Sequence, residues 1–308
     1  MELTDVARPG LMISNTEPES RKVEGRTFEV LAQAAELNFF QAYQTVEVPY
    51  PGEREKIAQI VRTGNLRMTY CLTRVLNENK LDLSSLDEQL RAKSVQHLVP
   101  HLDDAVQQAA DVVHVISGPA DADPDKRAQQ LRQFEKSWLE LCTAAKEKGL
   151  MVNVEPLDVR VHKKKAVGTA AEGAEMAKNL SAKVDNAFLC LDTSHMILNG
   201  EDVIPALAAA MDYVDEFHFC NPVLKKDDPL FGDTHIKLGP PGELDLRQVG
   251  RLMAECHRIG FLSAAKRPKV FLEVWNRNGS VPELIRYCRQ TLLDAWEIAR
   301  SELEASAK

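Results

Sequence analysis

Short apolar runs alternate with longer stretches of helical spacing along the whole chain. The runs LMIS (11–14), FFQAYQTVEV (39–48), LRMTYCLT (66–73), DVVHVIS (111–117), LMVNVEP (150–156), NAFLCLD (186–192), VDEFHFC (214–220) and KVFLEV (269–274) are rich in β-branched and aromatic residues and bounded by turn formers. Each reads as a buried strand. Between them, stretches such as GRTFEVLAQAAELN, DKRAQQLRQFEKSWLELCTAAKEKG and RQVGRLMAECHRIG repeat apolar residues every three to four positions, as helices do. Gly149 and Gly260 stand just past two of these helices, where a positive φ closes a helix. Eight strand–helix units follow one another without linker, repeat or low-complexity segment.

Strands apolar throughout and separated by helices form a parallel sheet covered by helices. Eight such units in 308 residues predict one α/β domain over 1–308, a single (β/α)8 barrel. A doubly wound open sheet is the alternative, but no G-x-G-x-x-G follows the first strand. The last stretch, 281–308, is expected to be the helix that closes the ring.

Charge and cysteine usage narrow the function. A formal net charge of −8 argues against a nucleic-acid backbone as the main partner. The start, MELTDVARPG, carries two acids and no apolar core of a signal peptide, and no apolar run has the length of a membrane span. The six cysteines show no C-x-x-C spacing, which fits reduced thiols. The expected compartment is the cytoplasm, with no membrane partner.

Four of the predicted strands end on metal-binding types of side chain. Glu155 closes strand five, Asp192 strand six, His218 strand seven and Glu273 strand eight. In a barrel these are neighbouring strands, and their C-terminal ends meet at one mouth, where barrel active sites are built. Three crowded carboxylates would push each other's pKa values up unless a cation neutralises them. Three oxygen donors and an imidazole suit a divalent ion, Mn²⁺ first, with Mg²⁺, Co²⁺ or Zn²⁺ as substitutes. Taken singly, each acid would pass for a surface residue or a helix cap; four in consecutive strands point to a metal site.

The segments VNVEPLD, LDTSHM, FHFC and FLEVW resemble the signature segments of the xylose-isomerase-like barrel superfamily, which holds sugar isomerases, ketose 3-epimerases and type IV apurinic endonucleases. The resemblance implies that Glu155, Asp192, His218 and Glu273 are the metal ligands. It makes Glu155 and Glu273 the acid–base pair of an epimerase, and His195 a contact to a substrate hydroxyl. The chain departs from the epimerases after His218, where NPVLKKDDPLFGDTH has lysines and no arginine. In the endonucleases an Asp and His like those of GDTH bind an additional metal. Here Asp233 and His235 are expected to order their loop by hydrogen bonds, with His235 also facing substrate.

In the loop DVRVHKKKAVGT (158–169), His162 is a candidate proton-transfer group and Lys163 a substrate contact. Trp275 and Asn276, directly after Glu273, are expected to line the pocket, the indole offering a flat face to a sugar. His114, inside strand four, reads as a core residue.

These parts fit a metal-dependent sugar isomerase or epimerase, in which a base removes the proton next to a carbonyl and the ion steadies the resulting enediolate. The substrate is a small sugar or glycoside, and the chain is expected to act as a homo-oligomer. The stretches EPLDVRVHKKK and GDTHIKLGPPGELDL look closer to the barrel subunit of C-glycoside deglycosidases, lyases that cleave 3-oxo-glycosides by elimination beside a small β-rich subunit. That alternative would use His162 as base. An endonuclease would want several zinc ions and a basic mouth, and a non-catalytic sugar binder would have no need of four ligands.

Overall fold

The computed structural model describes residues 1–306. Eight parallel strands close into a barrel: Arg8–Met12, Ala42–Thr45, Arg67–Cys71, Val112–Val115, Met151–Val154, Ala187–Asp192, Val214–Phe219 and Lys269–Leu272. They neighbour one another in sequence order, and the eighth pairs with the first through Arg8 and Lys269. This is the single (β/α)8 barrel expected from the pattern. Among the described residues no helix is long and apolar enough to cross a membrane.

Among the described residues, eight helices of eight residues or more form the outer ring, from Arg26–Ala35 to Val281–Ser306. Their starts are set locally. Asp87 and Asp123 cap the helices Glu88–Gln107 and Pro124–Lys146, and Thr169 with Glu172 forms a reciprocal capping box. Gly149 and Gly260 have φ of +71° and +83°, the left-handed geometry that ends a helix. The closing helix is described to Ser306; the last two residues of its expected span lie outside the described residues.

Three local features differ from the pattern. The first strand starts at Arg8, earlier than LMIS, and Ile13–Thr16 turns into one helical turn. Pro9 hid that start, because proline is rarely read as strand interior. Its neighbour Gly10 packs so closely on Phe271 that a Cβ there would lie 2.3 Å from the ring. The second strand keeps only Ala42–Thr45 of 39–48. An antiparallel hairpin, Asn221–Val223 with Gly232–Ile236, is inserted between strand seven and its helix Leu246–Arg258.

The barrel interior is polar at an unexpected level. Lys269, 2% exposed, starts strand eight and is the register partner of Glu216 on strand seven. Its ammonium lies 2.8 Å from Asp215 and 3.0 Å from Glu216, and donates to Thr69 at 2.8 Å. Thr69 donates to the same Glu216 carboxylate at 2.7 Å. A buried charge is tolerable only when paired and hydrogen-bonded in this way.

Candidate functional site

The ends of strands five to eight bring Glu155, Asp192, His218 and Glu273 together. One ligand-type atom of each lies within 4.8 Å of all the others. His218 is central: its Nδ1 is 2.9 Å from Glu273 Oε2, 3.8 Å from Glu155 Oε1 and 3.9 Å from Asp192 Oδ2. Strand order puts two strands, those of Asp192 and His218, between Glu155 and Glu273, so the two glutamates enter from opposite flanks.

Asp192 serves two readings at once. Its Oδ1 caps the helix Thr193–Asn199, accepting from the Ser194 and His195 N–H groups. Its Oδ2 is buried and accepts no hydrogen bond. An orphaned, buried carboxylate oxygen aimed at three further ligand-type atoms is the donor set a divalent cation would satisfy.

The electrostatics split the carboxylates. Burial above all, with Glu273, Asp233 and Glu155 adding to it, pushes Asp192 up to about 8. This is the upward shift that crowding predicts. Burial pushes Glu273 the same way, but His235 and the hydrogen bond from His218 outweigh it and hold that acid at about 2. The crowding argument therefore fails for Glu273, because two imidazoles stand 2.9 and 3.3 Å from it.

Around the quartet lies a second ring of contacts. His195 is buried; its Nδ1 is 3.4 Å from Asp158, and its Nε2 lies 3.7 Å from Asp233 and 4.0 Å from Glu155. Burial disfavours its charged form, yet Asp233, Asp158, Asp192 and Glu155 together raise it to about 10. The hairpin delivers Asp233 and His235. Asp233 Oδ2 is 2.9 Å from His235 and 3.0 Å from Lys163, and His235 Nε2 is 3.3 Å from Glu273. Cys220 completes a smaller ligand-type group with Asp233 and His235, its thiol donating to Asp233 at 3.2 Å.

A cavity of about 370 Å³ opens above the quartet. Glu155, His218, Glu273, His195, His235, Lys163 and Trp275 line it. Trp275 is 37% exposed and stacks on His235, ring centroids 6.2 Å apart.

Two expected site residues stand elsewhere. His162 is exposed and outside the cavity lining; its ring lies on the backbone of Gly232, where a Cβ would come within 2.8 Å of it. Gly232 has φ +98°, so glycine answers both the backbone and the close approach. Asn276 also turns away. Its side chain donates to the Thr16 carbonyl at 2.9 Å and its N–H to Asn15, tying the eighth loop to the first.

Other residues join the site that the pattern left out. His114, read as core, is buried but lines the cavity, with Nε2 3.1 Å from Glu155 Oε2. Strand five lies beside strand four, and that neighbour relation is what turns a strand histidine into a site contact. Asn15 donates to Glu273 Oε1 at 3.3 Å, and Gln44 and Arg74 line the far side. Nothing in their local sequence marks them.

Residues 31–291 match the family model described as Xylose isomerase-like TIM barrel. The chain belongs to this family. Solved structures place the xylose isomerase-like barrel among similar folds. An L-ribulose 3-epimerase matches at 18% identity with a TM-score of 0.73, covering 98% of each chain. A 3-keto-D-glucoside 4-epimerase from E. coli matches at 14% identity and TM-score 0.63, covering 96% of this chain and 99% of that one. The IOLI protein, whose crystal structure has a zinc atom bound, matches at 15% identity and TM-score 0.70, covering 94% and 97%. At these identities the likeness is one of fold. No curated protein sequence matches this barrel.

Proposed function

We propose that this barrel is a divalent-metal-dependent sugar epimerase or isomerase. The observation that carries the reading is the convergence of Glu155, Asp192, His218 and Glu273 on one point at the C-terminal mouth, with Asp192 Oδ2 left without a partner. A metal ion held by these four would supply Lewis-acid polarisation of a carbonyl and an adjacent hydroxyl. The structural likeness to sugar epimerases points the same way.

The protein's own groups do the proton work. Glu155 and Glu273 approach from opposite flanks, so one takes the proton from the carbon beside the carbonyl and the other returns it from the other face. His114 and Asn15 hold these two carboxylates in place through one contact each. His195 and Lys163 present donors to substrate hydroxyls from the cavity wall. Trp275 covers an apolar face. The elimination reading depends on His162 as base. Its ring stands outside the cavity, so epimerisation, which needs only the two glutamates, is the preferred outcome.

The test is turnover of ketoses in D₂O by Mn²⁺-loaded protein, read by NMR. The expected result is an epimer or isomer carrying deuterium at the carbon next to the carbonyl. Release of an aglycone from a 3-oxo-glucoside, with no ketose converted, would replace the epimerase by the lyase.

A further inference from the structure

The lysine run 163–165 divides its work. Lys163 is spoken for by Asp233, and Lys164 points to solvent. Lys165 lines the cavity, is half-buried, and forms no ion pair among the described residues. The acid that bears on it most is Asp82, and Asp82 accepts instead from the Ser84 N–H at 2.8 Å and hydroxyl at 3.0 Å. Burial accordingly pushes the Lys165 ammonium below its usual range. Arg74 lines the same cavity from the short helix Thr73–Glu78 that follows strand three. Its guanidinium is 3.9 Å from Glu78, whose carboxylate oxygen is already taken at 2.6 Å by Arg21. Two under-neutralised cations thus face one cavity: Arg74 from the segment after strand three, and Lys165 from the loop after strand five, where it bridges back to Pro119 just beyond strand four. In the eight-strand ring, strand three stands across from strand seven, which carries His218 of the quartet.

An ammonium held half out of water without a counter-charge is a cost to the fold. That cost is recovered when a bound ligand brings the missing anion, through charge-assisted hydrogen bonds of the kind lysine and arginine give to phosphate and carboxylate. The cavity, at about 370 Å³, lies at the small end for ligand pockets, which suits one sugar unit and leaves little room for a bulky aglycone.

We infer that Lys165 and Arg74 form an anion subsite, and that the substrate is a sugar bearing a phosphate or carboxylate at the end distant from its carbonyl. This rests on the epimerase reading for the carbonyl end alone; the anion subsite is separately measurable.

The experiment is calorimetric titration of Mn²⁺-loaded protein with a matched trio: D-fructose, D-fructose 6-phosphate and D-fructuronate. One or both anionic sugars should bind at least about tenfold tighter than fructose, and the larger gap identifies the anion. Lys165→Met and Arg74→Met should each shrink that gap, with folding checked by circular dichroism. Equal binding of the three sugars, no binding of either anionic sugar, or a gap that survives both substitutions would overturn the subsite. Turnover is followed in parallel. A gap that depends on Lys165 with no epimer formed keeps the subsite and removes the epimerase; epimerisation with no gap does the reverse.

Discussion

His218 Nε2 lies 2.8 Å from Glu216 Oε1, a carboxylate with no solvent exposure. The contact leaves Nδ1, the nitrogen that faces the quartet, as the one to meet a metal. Partners of this kind fix the tautomer and aim of a ligating imidazole. Glu216→Gln, which keeps the side-chain shape and leaves Lys269 paired with Asp215, should therefore weaken Mn²⁺ binding about ten- to a hundredfold while circular dichroism still shows a folded barrel of lower stability. Unaltered affinity, read by titration against a competing chelator, would remove Glu216 from the site.

Glu273→Gln separates chemistry from packing. It keeps an oxygen for Asn15 but loses the charge and the base. Turnover should fall at least about a hundredfold, with weaker metal binding and no deuterium entering from solvent. Full activity in this variant would end its role as acid or base.

Asp192 can be tested for its two duties apart. Asn keeps the cap on the Ser194 and His195 N–H groups, since both residues are good N-caps. Asp192→Asn should melt near the wild-type temperature yet bind metal poorly. Asp192→Ala should lose the cap as well, at about 1 kcal/mol. Normal metal content in the Asn variant would make Asp192 a cap and nothing more.

The metal-free protein should lose stability as pH rises. Asp192, held at about 8, keeps a proton that the unfolded chain releases near the ordinary aspartate value of 3.8. His195 at about 10 and His235 at about 9 likewise bind protons more tightly folded than unfolded, where histidine has its ordinary value of 6.5. In each case the folded state binds more protons, so the sign is the same: stability falls with pH through these windows. EDTA-treated protein should melt lower at about pH 9 than at about pH 6. Mn²⁺ should narrow the difference by taking the place of those protons. A flat melting profile without metal would refute the charge balance described for the mouth.

Lys269→Met should leave Glu216 buried and under-paired. The expected loss is about 3–5 kcal/mol, read from the urea midpoint. Adding Glu216→Gln should restore part of it, because the uncompensated charge is then gone.

The barrel was legible because each strand is a continuous apolar run and each helix has a distinct period. The quartet was legible because chemistry-bearing residues stood at the same place in four successive units. What stayed hidden depends on neighbours across the fold. His114 is a core histidine by its own strand and a site residue only because Glu155 ends the next one. His162 and Lys163 are adjacent in sequence, and loop geometry alone turns the lysine inward and the histidine out. Lys269 reads as a strand boundary until the register with Glu216 places it inside the barrel.

The Lys269–Glu216–His218 chain has a consequence for how this protein can be altered. The part of the cavity wall that carries Arg74 and Lys165 belongs to segments after strands three and five that the barrel does not need in order to close. A library randomising those positions would search substrate preference with the scaffold held constant. One reaching two residues below His218 would instead select mostly for survival of the barrel, because there the support of the imidazole and the glue of the strands are the same carboxylate.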